Sequence, residues 1–247
     1  MATYVLVGGA WIGGWAWADV TRRLRAGGHD VQPVTLTGLG EREHLGGPDV
    51  DLETHISDVV NVIDYADLHD VVLVGHSYAG IVVEGVADRR AARIATVTYV
   101  DSAPMGDGVA HLDVYPPDAR TAVEAAVGDG WRLPFPGIER LGRQASLAGL
   151  DDRALELLAT RATPQPFATY TQPLTLSGDA VRCDRRAIVC SDGGFSVAQI
   201  CAALASDDPG MFGVYAGPGW VFDELHTGHW PMLSAPAALA DLLAARS

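Results

Sequence analysis

Residues Val71 to Gly80 read Val-Val-Leu-Val-Gly-His-Ser-Tyr-Ala-Gly and set one serine, Ser77, between small residues. The Val-rich run fits a strand buried in a parallel sheet. The apolar, helix-compatible segment Ile81 to Ala87 follows it. A sharp strand-to-helix turn of this kind lifts a hydroxyl above the end of a sheet and is called a nucleophile elbow. Such a turn strains the nucleophile's backbone and leaves no room for side chains two residues to either side. Gly75 fills the first of these places and Ala79 the second, with Gly80 next. A strand, a glycine turn and a helix carrying an ordinary serine would read the same, so the assignment rests on partners elsewhere in the chain.

A serine hydroxyl is a poor nucleophile at neutral pH. It needs a base, a group to orient that base and donors for the oxyanion, and on this kind of sheet the side chains follow the order Ser, acid, His. The base is expected after the last strand, where His229 follows Gly228 and precedes the terminal helix. His226 sits at the strand end, where the pleat fixes its direction. For histidines 29, 44, 55, 69, 76 and 111 the expectation is an exposed loop or helix position. His76 adjoins the nucleophile, but neighbours on an elbow point apart, so it is expected to pack or to bind structural groups. The acid has two candidates. Asp101 ends the run Ile94 to Val100 and has apolar surroundings; Asp192 follows Ala187 to Cys190 and is itself followed by two glycines. Either aspartate could be a simple turn former; Asp101 is placed first and Asp192 kept as the alternative. The oxyanion donors are expected to be backbone N–H groups of Tyr78, after the nucleophile, and of Ala10, in the Gly-rich loop Gly8 to Trp15.

That loop could instead cradle a phosphate. But Gly8, Gly9, Gly13 and Gly14 miss the G-x-G-x-x-G spacing, and Val31 to Thr35 does not end in an acidic residue, so dinucleotide binding is not expected.

The elements that must position these groups alternate. Candidate strands are Tyr4–Val7, Val31–Thr35, Val71–Val74, Ile94–Val100, Ala187–Cys190 and Trp220–Leu225; candidate helices are Ala16–Ala26, His55–Tyr65, Ala79–Ala87, Phe195–Ala205 and Ala237–Ala245. This implies an α/β fold with a mostly parallel sheet of about six strands and helices on both faces. The alternation stops in the Pro-rich stretch 104–181, which lacks strand alternation and is too long for a plain loop. It is expected to form a helical lid on a core made of 1–103 and 182–247. The lid aromatics Trp131, Phe135, Phe167 and Tyr170, with Trp11 of the Gly-rich loop, are candidates for an apolar substrate pocket; core packing would call for the same residues.

The 247 residues carry 17 basic and 31 acidic side chains, a net charge of −14. A surface this acidic repels phosphate backbones and anionic lipid, so nucleic acid and membranes are not expected partners. Every basic residue is Arg, which excludes Schiff-base and pyridoxal chemistry through a lysine. The three cysteines, Cys183, Cys190 and Cys201, give neither a disulfide framework nor a zinc spacing. No metal or cofactor is expected. With no basic leader and no membrane-length apolar run, a cytoplasmic monomer or homodimer is the expectation.

Several segments together resemble the α/β-hydrolase superfamily: Tyr4 to Trp15, Thr35 to Leu45, the Ser77 elbow, Tyr99 to Pro104, and Thr227-Gly-His229. The chain is most similar to the small branch of bacterial carboxylesterases, plant methylesterases and hydroxynitrile lyases. The resemblance implies the α/β-hydrolase fold and Ser/His chemistry. It also exposes departures. The family usually has His-Gly where this chain has Gly8-Gly9, and a further His at Ile12. The hydroxynitrile lyases carry a lysine after the catalytic His, where this chain has Trp230. Some relatives place the acid one strand after the nucleophile, as Asp101 stands here. A serine esterase acting on a small apolar or aromatic ester or lactone is therefore expected. A ligand-binding protein without hydrolysis, or a lyase or cyclase on the same fold, is the alternative.

Overall fold

In the computed structural model, which describes residues 1–178 and 183–245, a single parallel sheet carries the chain. Its first half contains strand β1 (Thr3–Val7), helix α1 (Ala18–Ala26), β2 (Asp30–Val34), α2 (Leu52–Tyr65), β3 (Val71–His76), α3 (Ala79–Arg89) and β4 (Ile94–Val100). The sheet resumes with β7 (Asp184–Cys190) and β8 (Trp220–Leu225), after two short strands and four helices described below. Its order is β2-β1-β3-β4-β7-β8, with every neighbouring pair parallel.

The pleat explains why the strands read as continuous apolar runs. Val5 and Val7 of β1 and Leu73 of β3 face one core with α2 and α3. Tyr4 and Leu6, with Val72 and Val74, face the other, where α1 packs with the C-terminal α10 (Pro236–Ala244). With both faces covered, alternation has no polar side to show. Helix α2 starts where Asp51 caps it, its carboxylate accepting from the Thr54 N–H at 2.9 Å.

Between β4 and β7 lie α4 (Pro117–Val127), β5 (Arg132–Leu133), α5 (Ile138–Gln144), α6 (Asp152–Arg161), β6 (Gln165–Pro166) and α7 (Ala168–Thr171). The stretch is mainly helical and also holds one short antiparallel pair, β5 with β6. The ladder is only two residues long on each side, too short to leave a period-2 signature in the sequence. The boundary expected at 181/182 lies outside the described residues. After β7 come α8 (Val197–Leu204) and, beyond β8, the short α9 (Pro231–Ser234).

The sheet order sets the site. Strand β1 has β2 on one side and β3 on the other, so the connections leave β1 in opposite directions. A crevice opens at the carboxyl ends of the strands at such a point. The Gly-rich loop leaves β1 there, Ser77 leaves β3, Asp101 leaves β4, Asp192 follows β7 and His229 follows β8.

Candidate active site

Ser77 stands in the left-handed backbone region at φ 51°, between the end of β3 and the start of α3. A non-glycine residue holds this conformation only when its surroundings fix it. Its N–H donates to the Val100 carbonyl at 3.2 Å, and its own carbonyl accepts from the Gly80 N–H at 2.9 Å and the Ser102 hydroxyl at 2.5 Å. Small residues are needed on all sides. A Cβ at Gly75 would stand 2.7 Å from a Val83 methyl, and one at Gly9 would stand 2.8 Å from Nδ1 of His76. At Gly80 a Cβ would meet the Ser102 hydroxyl at 2.2 Å. Ala79, in contrast, is accommodated in full burial.

His229 comes from the loop after β8. Its Nε2 lies 2.8 Å from the Ser77 hydroxyl, and its Nδ1 lies 2.5 Å from Oδ2 of Asp101. A carboxylate only accepts, so Nδ1 carries the hydrogen and Nε2 is left to accept from the serine. Asp101 is itself in the left-handed region at φ 44°; its N–H donates to Ile188, and its Oδ1 accepts from the Cys190 N–H at 3.2 Å. The histidine loop is tied to the segment before α6: Gly228 donates to Ala148 and His229 to Ser146. A Cβ at Gly228 would lie 2.4 Å from the Ser146 oxygen, which explains the glycine before the histidine. Asp192 is exposed, and its N–H donates to Thr227; the carboxylate that meets His229 is that of Asp101. His226 pairs with Ser191 instead.

The Ala10 and Tyr78 backbone N–H groups make no hydrogen bond to other described residues. Trp11, next to Ala10, is held at φ 64° by the segment 104–178. Its N–H donates to Gln165, its carbonyl accepts from Thr163, and its indole donates to Leu133. The Tyr78 hydroxyl meets Nδ1 of His55 at 2.9 Å while Nε2 of that ring meets the Thr37 carbonyl at 2.8 Å. Because a carbonyl only accepts, the His55 hydrogen is on Nε2 and Tyr78 donates to Nδ1.

A cavity of about 750 Å³ reaches Ser77, Asp101 and His229. Ala10, Trp11 and Tyr170 line it, whereas Trp131, Phe135 and Phe167 do not. Phe135 packs edge-on behind Trp11 at 6.1 Å, the Trp131 ring is covered by the Arg132 guanidinium at 4.3 Å, and Phe167 packs on the α2/α3 core. Aromatic content places a side chain near a lid, but which way it faces is set by tertiary packing. At the cavity's mouth Val114, Phe195, Met211 and Val214 are exposed although they are large and apolar.

Two histidines, His55 and His111, overturn the expectation of exposure; both are buried, as is His76, for which packing or a structural contact is the expectation, while His44 and His69 are exposed. Burial holds all three well below the usual histidine range, to about 4 for His55 and His111 and about 3 for His76, where the nearby His229 adds to the effect. His76 does not point away from the site. It meets the His229 carbonyl at 2.6 Å. His111 belongs to the cavity wall with Tyr115, and no periodicity in the turn His111–Val114 could have shown it.

The chain matches the family described as Alpha/beta hydrolase family across residues 4–242. It is 37% identical to a carbendazim hydrolyzing esterase of Nocardioides sp. (strain SG-4G), with 99% of each chain covered. It is 22% identical to a putative chloroplastic methylesterase 15 of Arabidopsis thaliana, spanning 97% of this chain and 55% of that one. Among solved structures, an extracellular alpha/beta-hydrolase from a Paenibacillus species superimposes with a TM-score of 0.80 at 21% identity, covering 100% of both chains. A pyrethroid hydrolase from Sphingobium faniae JZ-2 gives 0.72 at 21% identity, covering 99% of this chain and 96% of that one. At these identities the structural likeness speaks for the fold.

Proposed function

Because the chain belongs to the alpha/beta hydrolase family, we propose that it is a serine esterase that cleaves a small apolar or aromatic carboxylic ester or lactone through an acyl-enzyme. The observation that carries this reading is the unbroken hydrogen-bonded line from the Ser77 hydroxyl through His229 to Asp101 at the floor of a cavity. The name of the 37%-identical relative, an esterase, supports the reaction class.

In the first half-reaction His229 Nε2 takes the Ser77 proton as the oxygen bonds to the substrate carbonyl carbon. The carbonyl π pair moves onto oxygen, where the Ala10 and Tyr78 N–H groups receive it. Each such donor is worth on the order of 10²–10³ in rate. Asp101 holds the imidazole in its productive tautomer and stabilises the imidazolium. The oxyanion collapses, the alcohol leaves with the proton from His229, and Ser77 keeps the acyl group. Water then attacks in the same way, giving up its proton to His229, and the acid departs as Ser77 regains its hydrogen. The segment 104–178 is the lid in this reading: it supplies Tyr170 to the cavity and pins Trp11 beside the oxyanion donor. The apolar mouth suits a substrate with little charge.

A fluorophosphonate probe tests the proposal. Covalent labelling that is lost in Ser77→Ala and in His229→Ala, together with hydrolysis of p-nitrophenyl acetate lost in the same variants, is the expected result. Ligand binding without labelling of Ser77 would instead identify a binding protein and end the esterase reading.

A further inference from the structure

His111 has no part in the mechanism above, yet it is one of the cavity's wall residues. It is 8% exposed. Three aromatic rings enclose it edge-on: Tyr78 at 5.1 Å, Tyr115 at 5.7 Å and Tyr170 at 4.6 Å. Its ring makes no hydrogen bond to a described residue, and Nδ1 is sealed from solvent without a partner. Buried polar atoms are nearly always satisfied, and leaving one unmet costs about 1–3 kcal/mol. A plain packing role would be filled better by Phe or Leu.

The two nitrogens differ. Nδ1 is closed off, so a hydrogen placed there would be an orphaned buried donor, the rarest kind of defect in a folded chain. The hydrogen therefore resides on Nε2, the nitrogen that is not sealed. Burial keeps the ring neutral near pH 7. The cavity thus presents one neutral N–H donor set among aromatic faces.

We propose that His111 is the polar recognition point of this cavity, donating through Nε2 to an acceptor heteroatom on an otherwise aromatic substrate. The preferred ligand is then a flat aromatic ester carrying a ring nitrogen or an ether or carbonyl oxygen away from the scissile bond. Its apolar area fills the aromatic walls, and the acceptor meets a side-chain donor that has no partner among the described residues. The inference deepens the esterase reading by naming the substrate class, and its binding arm does not depend on turnover.

The test pairs ligands that differ only in the heteroatom: quinoline-3-, quinoline-6- and isoquinoline-6-carboxamide against 2-naphthamide, with Kd measured by calorimetry. At least one aza ligand is expected to bind about 3- to 10-fold more tightly than the naphthamide, the range of one neutral hydrogen bond. His111→Phe should abolish that preference and leave naphthamide binding within about 2-fold. His111→Gln, which keeps a donor, should restore part of it. Removing an unmet polar group should also raise the Tm of the Phe variant, which guards against loss of fold as the explanation. The matching methyl esters, compared by kcat/KM, should show the same preference. Equal binding of aza and carbocyclic ligands by the wild type, or a preference unchanged in a folded His111→Phe, overturns the proposal. If the amides discriminate while Ser77 resists the fluorophosphonate, the recognition point stands and the esterase reading falls.

Discussion

His76 donates its Nε2 hydrogen to the backbone carbonyl of His229 at 2.6 Å, and the two imidazole rings lie 4.8 Å apart. The residue beside the nucleophile thus fixes the main chain of the residue that would deprotonate it. The bond needs only the hydrogen on Nε2; what keeps the ring neutral is its environment. Burial, followed by repulsion from His229, holds it to about 3. In the proposed reaction His229 would become an imidazolium, and its neighbour would add no second positive charge.

His76→Ala is therefore expected to act on chemistry rather than on binding. The serine, the base and the acid all remain, but the base loses one of the contacts that orient it. Misplacement of a catalytic group by about 1 Å costs on the order of 10²-fold. We expect kcat on p-nitrophenyl acetate to fall by about 10- to 100-fold with KM changed by less than about 3-fold. A fall confined to KM would show that His76 serves the pocket instead.

The two aspartates give a sharp contrast. Asp101 reaches Nδ1 of His229, whereas Asp192 is exposed and is held through its backbone to Thr227. Asp101→Asn keeps the shape but turns an acceptor into a donor facing the ring and so favours the wrong tautomer, a change expected to cost about 10⁴-fold in kcat. Asp192→Asn should leave kcat within about 2-fold. The reverse pattern would transfer the acid's role to Asp192.

Much of this site could be read from the chain because strand ends are local events. Ser77, Asp101 and His229 each follow an apolar run that reads as a strand, and in a parallel sheet all such ends reach one edge. The small residue at Gly75 marks a close approach that steric reasoning anticipates, whereas those at Gly80 and Gly228 emerge only from the packing. What could not be read depends on packing between distant segments. Phe135 and Tyr170 look alike as aromatic residues of the insertion, but one packs edge-on behind Trp11 and the other walls the cavity. His111 looks like an ordinary polar residue because its short turn has no periodicity to show burial, whereas His55 shares the helical stripe of Leu52, Ile56, Val59 and Ile63.

Gly80 carries a constraint that the family's usual pattern puts one residue earlier. A methyl group there would collide with the Ser102 hydroxyl and stand 2.7 Å from the Ala103 carbonyl, which is backbone and cannot rotate away. Overpacking of this kind costs about 1–3 kcal/mol. Gly80→Ala is expected to lower the urea midpoint accordingly, and to slow labelling of Ser77 because Ser102 holds the Ser77 carbonyl. An unchanged midpoint would mean that α3 can shift at its first turn without loss.

The buried histidines also set how the protein responds to acid. In the unfolded chain each titrates near 6.5, but in the fold His55 and His111 are held to about 4 and His76 to about 3. Between these limits the unfolded state binds more protons, so stability rises with pH across the window. It is fully present above about pH 6.5 and drains away as the pH falls toward 4. Each histidine contributes up to about 1.4 kcal/mol per pH unit within the window. Three together therefore remove on the order of 5 kcal/mol between pH 7 and pH 5, a large share of a typical domain's stability. Urea unfolding at half-unit steps from pH 7.5 to 5 should show that steep decline, and His111→Phe should lessen its slope by roughly a third while raising stability most at the acid end. A flat profile over this range would mean that the rings take up protons in the fold, which their enclosure by Tyr78, Tyr115 and Tyr170 on one side and by His229 on the other argues against.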